Sequence, residues 1–150
     1  MDERTARVLA VDPGQKRIGV AVSDETGRLA RPLKVIEHVA RPVDAAAIVR
    51  LAVDAGVGLI LVGQSVDDEG DLTFQGRGAV SLAAVIRELT AIPVEMWDEA
   101  FSTQDARALR LRMGSRRKGR SGHLDDVAAA VILQSYLDIH HPPQISQDFE

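Results

Sequence analysis

Residues 8–23 read VLAVDPGQKRIGVAVS. Val8-Leu9-Ala10-Val11 is an apolar run of the kind that forms a buried strand, and Ile18-Gly19-Val20-Ala21-Val22-Ser23 is a second. The turn Pro13-Gly14-Gln15-Lys16 is too short for anything but a hairpin, so the two strands are antiparallel neighbours. Asp12 stands where the first strand ends. A carboxylate delivered there, beside a tight cationic hairpin, suits the holding of a metal ion and a phosphate.

Working outward, residues 29–37 form a third strand beyond the turn at Thr26-Gly27, which makes residues 7–12, 17–24 and 29–37 an antiparallel meander. After Pro42 the spacing becomes helical: Val43, Ala46, Ala47, Val49 and Ala52 precede the stop at Gly56. Leu59-Ile60-Leu61-Val62 is a buried strand ending at Gly63, followed by the polar loop Asp67-Asp68-Glu69-Gly70-Asp71. A helix over 75–90 and a fifth strand at Pro93-Val94-Glu95-Met96-Trp97 come next. Ser102, with Asp105 three residues on, starts a helix over 103–112. Met113–Gly122 is a loop rich in glycine and arginine. The last helix runs from His123 to Ile139, and its Ala128-Ala129-Ala130 allows close packing on a sheet. Residues 1–140 are read as the folded domain and 141–150, with Pro142-Pro143, as a C-terminal tail.

Three antiparallel strands, then helix-strand-helix-strand-helix, give an α/β protein: a five-stranded mixed sheet, three antiparallel strands then two parallel, flanked by helices. That order is the order of a ribonuclease H-like fold.

At 150 residues the chain is one domain of ordinary size, with 45% hydrophobic and 27% charged residues in the range of folded proteins. It has no cysteine, which excludes disulfides, thiolate zinc and thiol nucleophiles. A metal here is held by oxygen, which favours magnesium or manganese. No window is long and apolar enough for a membrane span, and Met1-Asp2-Glu3-Arg4 does not open a signal peptide, so a cytoplasmic protein without membrane association is expected. The net charge of −4 argues against indiscriminate nucleic-acid binding. With 3% aromatics, contact with nucleic acid relies on charge and backbone more than on stacking.

Hydrolysis of a phosphodiester at neutral pH needs a water of lowered pKa and neutralisation of charge on the leaving oxygen. Two divalent ions held by carboxylates supply both. Carboxylates fall at element ends in three separate regions: Asp12, then Asp98 and Glu99 directly after the fifth strand, then Asp125 and Asp126 at the start of the last helix. In open α/β sheets, sites lie beyond the carboxyl ends of parallel strands. Asp98, Asp105 and Asp126 are more simply explained by turn amides and the helix dipole.

Asp12-Pro-Gly-Gln-Lys-Arg-Ile-Gly-Val-Ala-Val-Ser, Val62-Gly63, Asp98-Glu99-Ala-Phe-Ser-Thr and Asp125-Asp126-Val-Ala-Ala-Ala-Val-Ile-Leu-Gln-Ser-Tyr-Leu resemble, in this order, the motifs of the YqgF (RuvX) family, described both as Holliday junction resolvases and as pre-16S rRNA nucleases. The resemblance covers Val8 to Leu137. It implies a ribonuclease H-like, metal-dependent nuclease acting in maturation of the 5′ end of small-subunit rRNA, with catalytic and metal-binding carboxylates at Asp12, Glu99 and Asp125. In a two-ion site of Mg2+ or Mn2+, Asp12 bridges the ions, and Glu99 and Asp125 each complete one shell. Two positions depart from the family pattern. Ala100 stands where arginine is usual, and Gln64-Ser65 replaces the usual Leu-Pro, so altered substrate handling and a different loop path are expected.

Between Ala106 and Leu124 the chain carries Arg107, Arg110, Arg112, Arg116, Arg117, Lys118 and Arg120 and no acid. Arg116, Arg117, Lys118 and Arg120, between two glycines and just ahead of Asp125, are expected to contact phosphates, giving salt-dependent and sequence-tolerant affinity. Lys16 and Arg17 are placed to hold the strand near Asp12. His123 is more simply a helix-start residue than a proton shuttle, and His140 and His141 belong to the tail rather than to a metal site. Rival readings are a resolvase of four-way DNA junctions, a non-catalytic nucleic-acid-binding module, and a phosphotransferase of the actin-like class, which needs a second such domain to enclose ATP. The partner is precursor rRNA or structured DNA, and the chain acts as a monomer or a homodimer.

Overall fold

The computed structural model describes residues 7–102 and 121–140, with side chains undescribed at 101, 102 and 121–126. The expected helix over 103–112, the phosphate-contacting Arg116, Arg117, Lys118 and Arg120, and the tail 141–150 lie outside the described residues. So do the side chains of His123 and Asp125.

Five strands form one sheet: β1 (Val8–Pro13), β2 (Arg17–Ser23), β3 (Ala30–Glu37), β4 (Leu59–Gln64) and β5 (Val94–Asp98). Helix α1 (Arg41–Ala55) lies between β3 and β4, α2 (Phe74–Leu89) between β4 and β5, and α3 (Ser121–His140) follows a short 3-10 turn at Glu99–Ser102. The spatial order is β3-β2-β1-β4-β5. The pairs β1–β2 and β2–β3 are antiparallel, and β1–β4 and β4–β5 are parallel. This is the expected mixed sheet, with strand limits within about one residue of those read from the sequence. The last helix is longer than expected, reaching back to Ser121.

Strand alternation divides the core in two. Leu9 and Val11 of β1, Ile18, Val20 and Val22 of β2, and Ile60 and Val62 of β4 pack with Ala45, Ile48, Leu82 and Ile86 of α1 and α2. The intervening Val8, Ala10, Ala21 and Leu61 pack with Ala129, Ala130, Leu133 and Leu137 of α3. Alanines face alanines across this second layer, so α3 can lie close on the middle of the sheet, as its alanine run suggests. The side-chain Oγ of Ser23, fully buried, accepts the Val8 N–H at 2.8 Å and so satisfies an amide at the start of β1.

The first helix stops at the expected glycine, and the second has a capping residue that the sequence reading did not name. Gly56, at φ +68°, ends α1, donating its N–H to Val53. Thr73 caps α2 by accepting the Gly76 N–H at 3.0 Å. Among the described residues no helix is long and apolar enough to cross a membrane.

Candidate active site at the strand ends

Parallel pairing brings the carboxyl ends of β1, β4 and β5 to one edge. Val11 is level with Val62, and Gly63 with Trp97. Asp12 is two residues beyond Ala10 on the same strand, so it turns to the α3 side of the sheet, where it is half-buried. Gly63, two beyond Leu61, turns to the same side.

Glu99 arrives there by a different route. It is the first residue of the 3-10 turn, and Asp98 supports that turn by accepting the Ala100 N–H on Oδ1 at 2.9 Å. Asp98 therefore serves as a turn residue, the simpler of its two sequence readings. The turn carries Glu99 back over β4: a Cβ added at Gly63 would lie 3.2 Å from Glu99 Oε2, 3.4 Å from Glu99 Cγ and 3.1 Å from Ile132 Cδ1 of α3. Gly63 is a cradle that a side chain would fill. The sequence marked it only as a strand end; the contact that explains it joins residues 36 positions apart.

Ile132 fixes where α3 meets this edge. Asp125 precedes it on α3 by seven residues, two turns along the same side of the helix. Of the three carboxylates read from the sequence, the structure thus sets Asp12 and Glu99 on one face of the sheet and the backbone of Asp125 on the helix that covers that face.

The hairpin is held by the Gly14 N–H donating to the Arg17 carbonyl at 2.9 Å, and a Cβ at Gly14 would meet that oxygen at 2.5 Å. Lys16 and Arg17 are exposed beside Asp12. Ala100 is exposed. Gln64 ends β4, and Ser65 opens a compact loop in which its hydroxyl bonds that of Thr73 and its carbonyl accepts the Thr73 N–H at 3.1 Å.

That loop carries one acidic group absent from the sequence-derived candidates. Asp67, Glu69 and Asp71 bring carboxylate oxygens within 4.8 Å of one another, and all three are exposed. Oδ1 of Asp67 already accepts the Glu69 and Asp71 amides at 2.9 Å each, so much of this clustering is turn chemistry.

Among the described residues, Asp12 and Glu99 bring carboxylate oxygens to the strand ends, and Glu99 rests in a space kept open by a glycine. Half-buried carboxylates such as these fit a hard divalent cation.

The profile of the family described as "RuvX: Holliday junction resolvase" matches residues 6–139. A protein of Anaeromyxobacter sp. (strain Fw109-5) named "Putative pre-16S rRNA nuclease" is 37% identical over 135 residues, covering 90% of this chain and 98% of that one. One of the same name from Geobacillus kaustophilus (strain HTA426) is 40% identical over 134 residues, covering 88% and 97%. Among solved structures, Thermus thermophilus RuvC in complex with a Holliday junction substrate superposes with a TM-score of 0.60 at 16% identity, covering 90% of this chain and 96% of that one. The Fowlpox virus resolvase in complex with Holliday junction DNA gives 0.58 at 13% identity, covering 90% and 99%. These likenesses bear out the ribonuclease H-like fold.

Proposed function

This chain belongs to the RuvX family, and from that membership we propose that it is a divalent-metal-dependent nuclease that processes the 5′ end of precursor 16S rRNA. The observation that carries the reading is the seat of Glu99 over Gly63, on the face of the sheet to which Asp12 turns.

In this reading Asp12, Glu99 and Asp125 hold the cations. When bound, such ions lower the pKa of a water and neutralise charge on the leaving oxygen. The chain's own residues position the substrate. Lys16 and Arg17, at the hairpin beside Asp12, hold the phosphate in place, and Arg116, Arg117, Lys118 and Arg120 contact the backbone of the polymer further along. Water adds to phosphorus, the bond from phosphorus to the 3′ oxygen breaks, and the products are a 5′-phosphate and a 3′-hydroxyl.

A second reading, cleavage of four-way DNA junctions, is favoured by the description of the family itself. The two are separated by incubating wild type and Asp12→Asn, with manganese, on a four-way junction, a single-stranded RNA and a precursor rRNA 5′ leader. Preferential cleavage of the leader by wild type alone supports the RNA reading; paired symmetric cuts in the junction replace it with the other. Cleavage retained by Asp12→Asn overturns the assignment of the site. A chain that binds these polymers with no metal-dependent cleavage is a binding module.

A further inference from the structure

On the opposite face of the sheet from Asp12 and Glu99, a cleft of about 420 Å3 opens between the β1–β2 hairpin, the start of α1 and the start of α2. Its walls include Pro13, His38, Arg41, Phe74, Arg77 and Gly78. Four features of this cleft point to one class of ligand.

The first is charge. The first turns of α1 and α2 both line the cleft, and the N-terminal end of a helix favours an anion. Each first turn instead carries an arginine. That of α2 has no acidic residue, and that of α1 has only Asp44, which is buried and committed, accepting from His38 Nδ1 at 2.5 Å and from the Val39 N–H at 3.0 Å. The Arg41 side chain makes no hydrogen bond or ion pair with another described residue, and Arg77 spends one N–H on the Leu72 carbonyl. Two cations thus stand where the helix ends already repel them, an arrangement that a bound phosphate would reverse.

The second is an aromatic wall. Phe74, the first residue of α2, is 75% exposed. The third is a set of neutral hydrogen-bonding groups, Gln15, Gln75 and Ser81, on the same walls. The fourth is Gly78. It lies inside α2, where glycine costs about 0.5–1 kcal/mol relative to alanine, yet a Cβ there would meet nothing within 4 Å. No packing among the described residues calls for this glycine, and its lack of a side chain leaves room for a ligand to approach the helix closely.

We propose that this cleft binds a nucleoside phosphate unit, with its phosphate on Arg41 and Arg77 and its base against Phe74. The unit is either a free nucleotide or one residue of a nucleic-acid strand that passes over the hairpin, since Pro13 on this face directly follows Asp12 on the other. The site is distinct from the carboxylates and its occupancy requires no cleavage.

The test is titration of the full chain, in metal-free buffer with chelator, with 5′-AMP, a single-stranded hexanucleotide and inorganic phosphate, followed through backbone amide shifts. Saturable shifts at His38, Phe74 and Gly78 are expected with the first two ligands. Arg41→Ala with Arg77→Ala should weaken binding about tenfold or more. Gly78→Glu, which places bulk and negative charge in open space on a helix that alanine-like geometry favours, should abolish it while leaving the remaining amide spectrum intact. A hexanucleotide about tenfold tighter than 5′-AMP assigns the site to a strand; equal affinity assigns it to a free nucleotide. Absence of shifts at the cleft with both ligands, unchanged binding by Gly78→Glu, or inorganic phosphate matching 5′-AMP in affinity would each overturn the proposal. None of these outcomes depends on whether the carboxylates on the other face cut RNA.

Discussion

Gly63 and Glu99 share a single space: the Glu99 Oε2 atom lies 3.2 Å from where a Cβ of residue 63 would be, and Ile132 Cδ1 closes the other side at 3.1 Å. The carboxylate is therefore positioned by the absence of a side chain on the neighbouring strand. Gly63→Ala is expected to fold, at a cost of about 1–3 kcal/mol for overpacking, and to displace Glu99. Cleavage should fall about 10–100-fold and the manganese concentration for half-maximal rate should rise, as when a group orienting a metal ligand is lost. Metal titration of the cleavage rate checks both.

Asp12→Asn removes a charge while keeping shape, at a strand end where the backbone pairing with Gly19 is undisturbed. Its melting temperature should stay within a few degrees of wild type, with the rate reduced about 10³-fold. A thermal melt beside a gel assay separates loss of chemistry from loss of fold.

Trp97 donates its indole N–H to Ser135 Oγ at 2.9 Å, and that hydroxyl donates in turn to the Ile132 carbonyl at 2.7 Å. The chain links β5, just before Glu99, to the stretch of α3 that abuts Gly63. Ser135→Ala removes the acceptor from a buried position, and a loss of about 1–3 kcal/mol in urea unfolding followed by circular dichroism is expected. Ser135→Thr, which keeps the hydroxyl, should recover part of it.

Asp24 closes the β2–β3 turn. Its Oδ1 accepts the Arg28 and Leu29 amides at 2.9 and 3.2 Å, and Oδ2 accepts the Thr26 hydroxyl at 2.8 Å. These bonds, led by that from Arg28, hold its pKa below the ordinary 3.8. A carboxyl whose pKa is lower folded than unfolded adds stability at pH values above the unfolded pKa, and that stability is lost as the pH falls through the folded one. The difference in melting temperature between wild type and Asp24→Asn should therefore be constant near neutrality and shrink below about pH 4.

The sheet was legible because its signals are local. Alternation in Val8–Ser23 and the Pro13-Gly14 turn give the hairpin, and the change to helical spacing after Pro42 gives the crossover to a parallel strand. Asp12 could be singled out on the same grounds, since a charge ending an apolar run is visible within one window. The seat of Glu99 was not legible: it depends on a 3-10 turn held by Asp98 and on a contact with Gly63 made only in three dimensions. The cleft on the other face was missed for a similar reason. Arg41 and Arg77 are unremarkable in isolation and acquire meaning only when two helix starts converge on one hollow. Asp67, Glu69 and Asp71 read as a polar loop, and their approach to one another arises from the turn that Asp67 folds around its own carboxylate.

The packing around Trp97 has a practical side. It is the one tryptophan of the chain, its ring meets Tyr136 edge-on at 5.1 Å, and it lies two residues from Glu99. The protein thus carries an intrinsic fluorophore at the rim of its proposed metal centre, so that cation loading can be followed by emission from the unlabelled molecule.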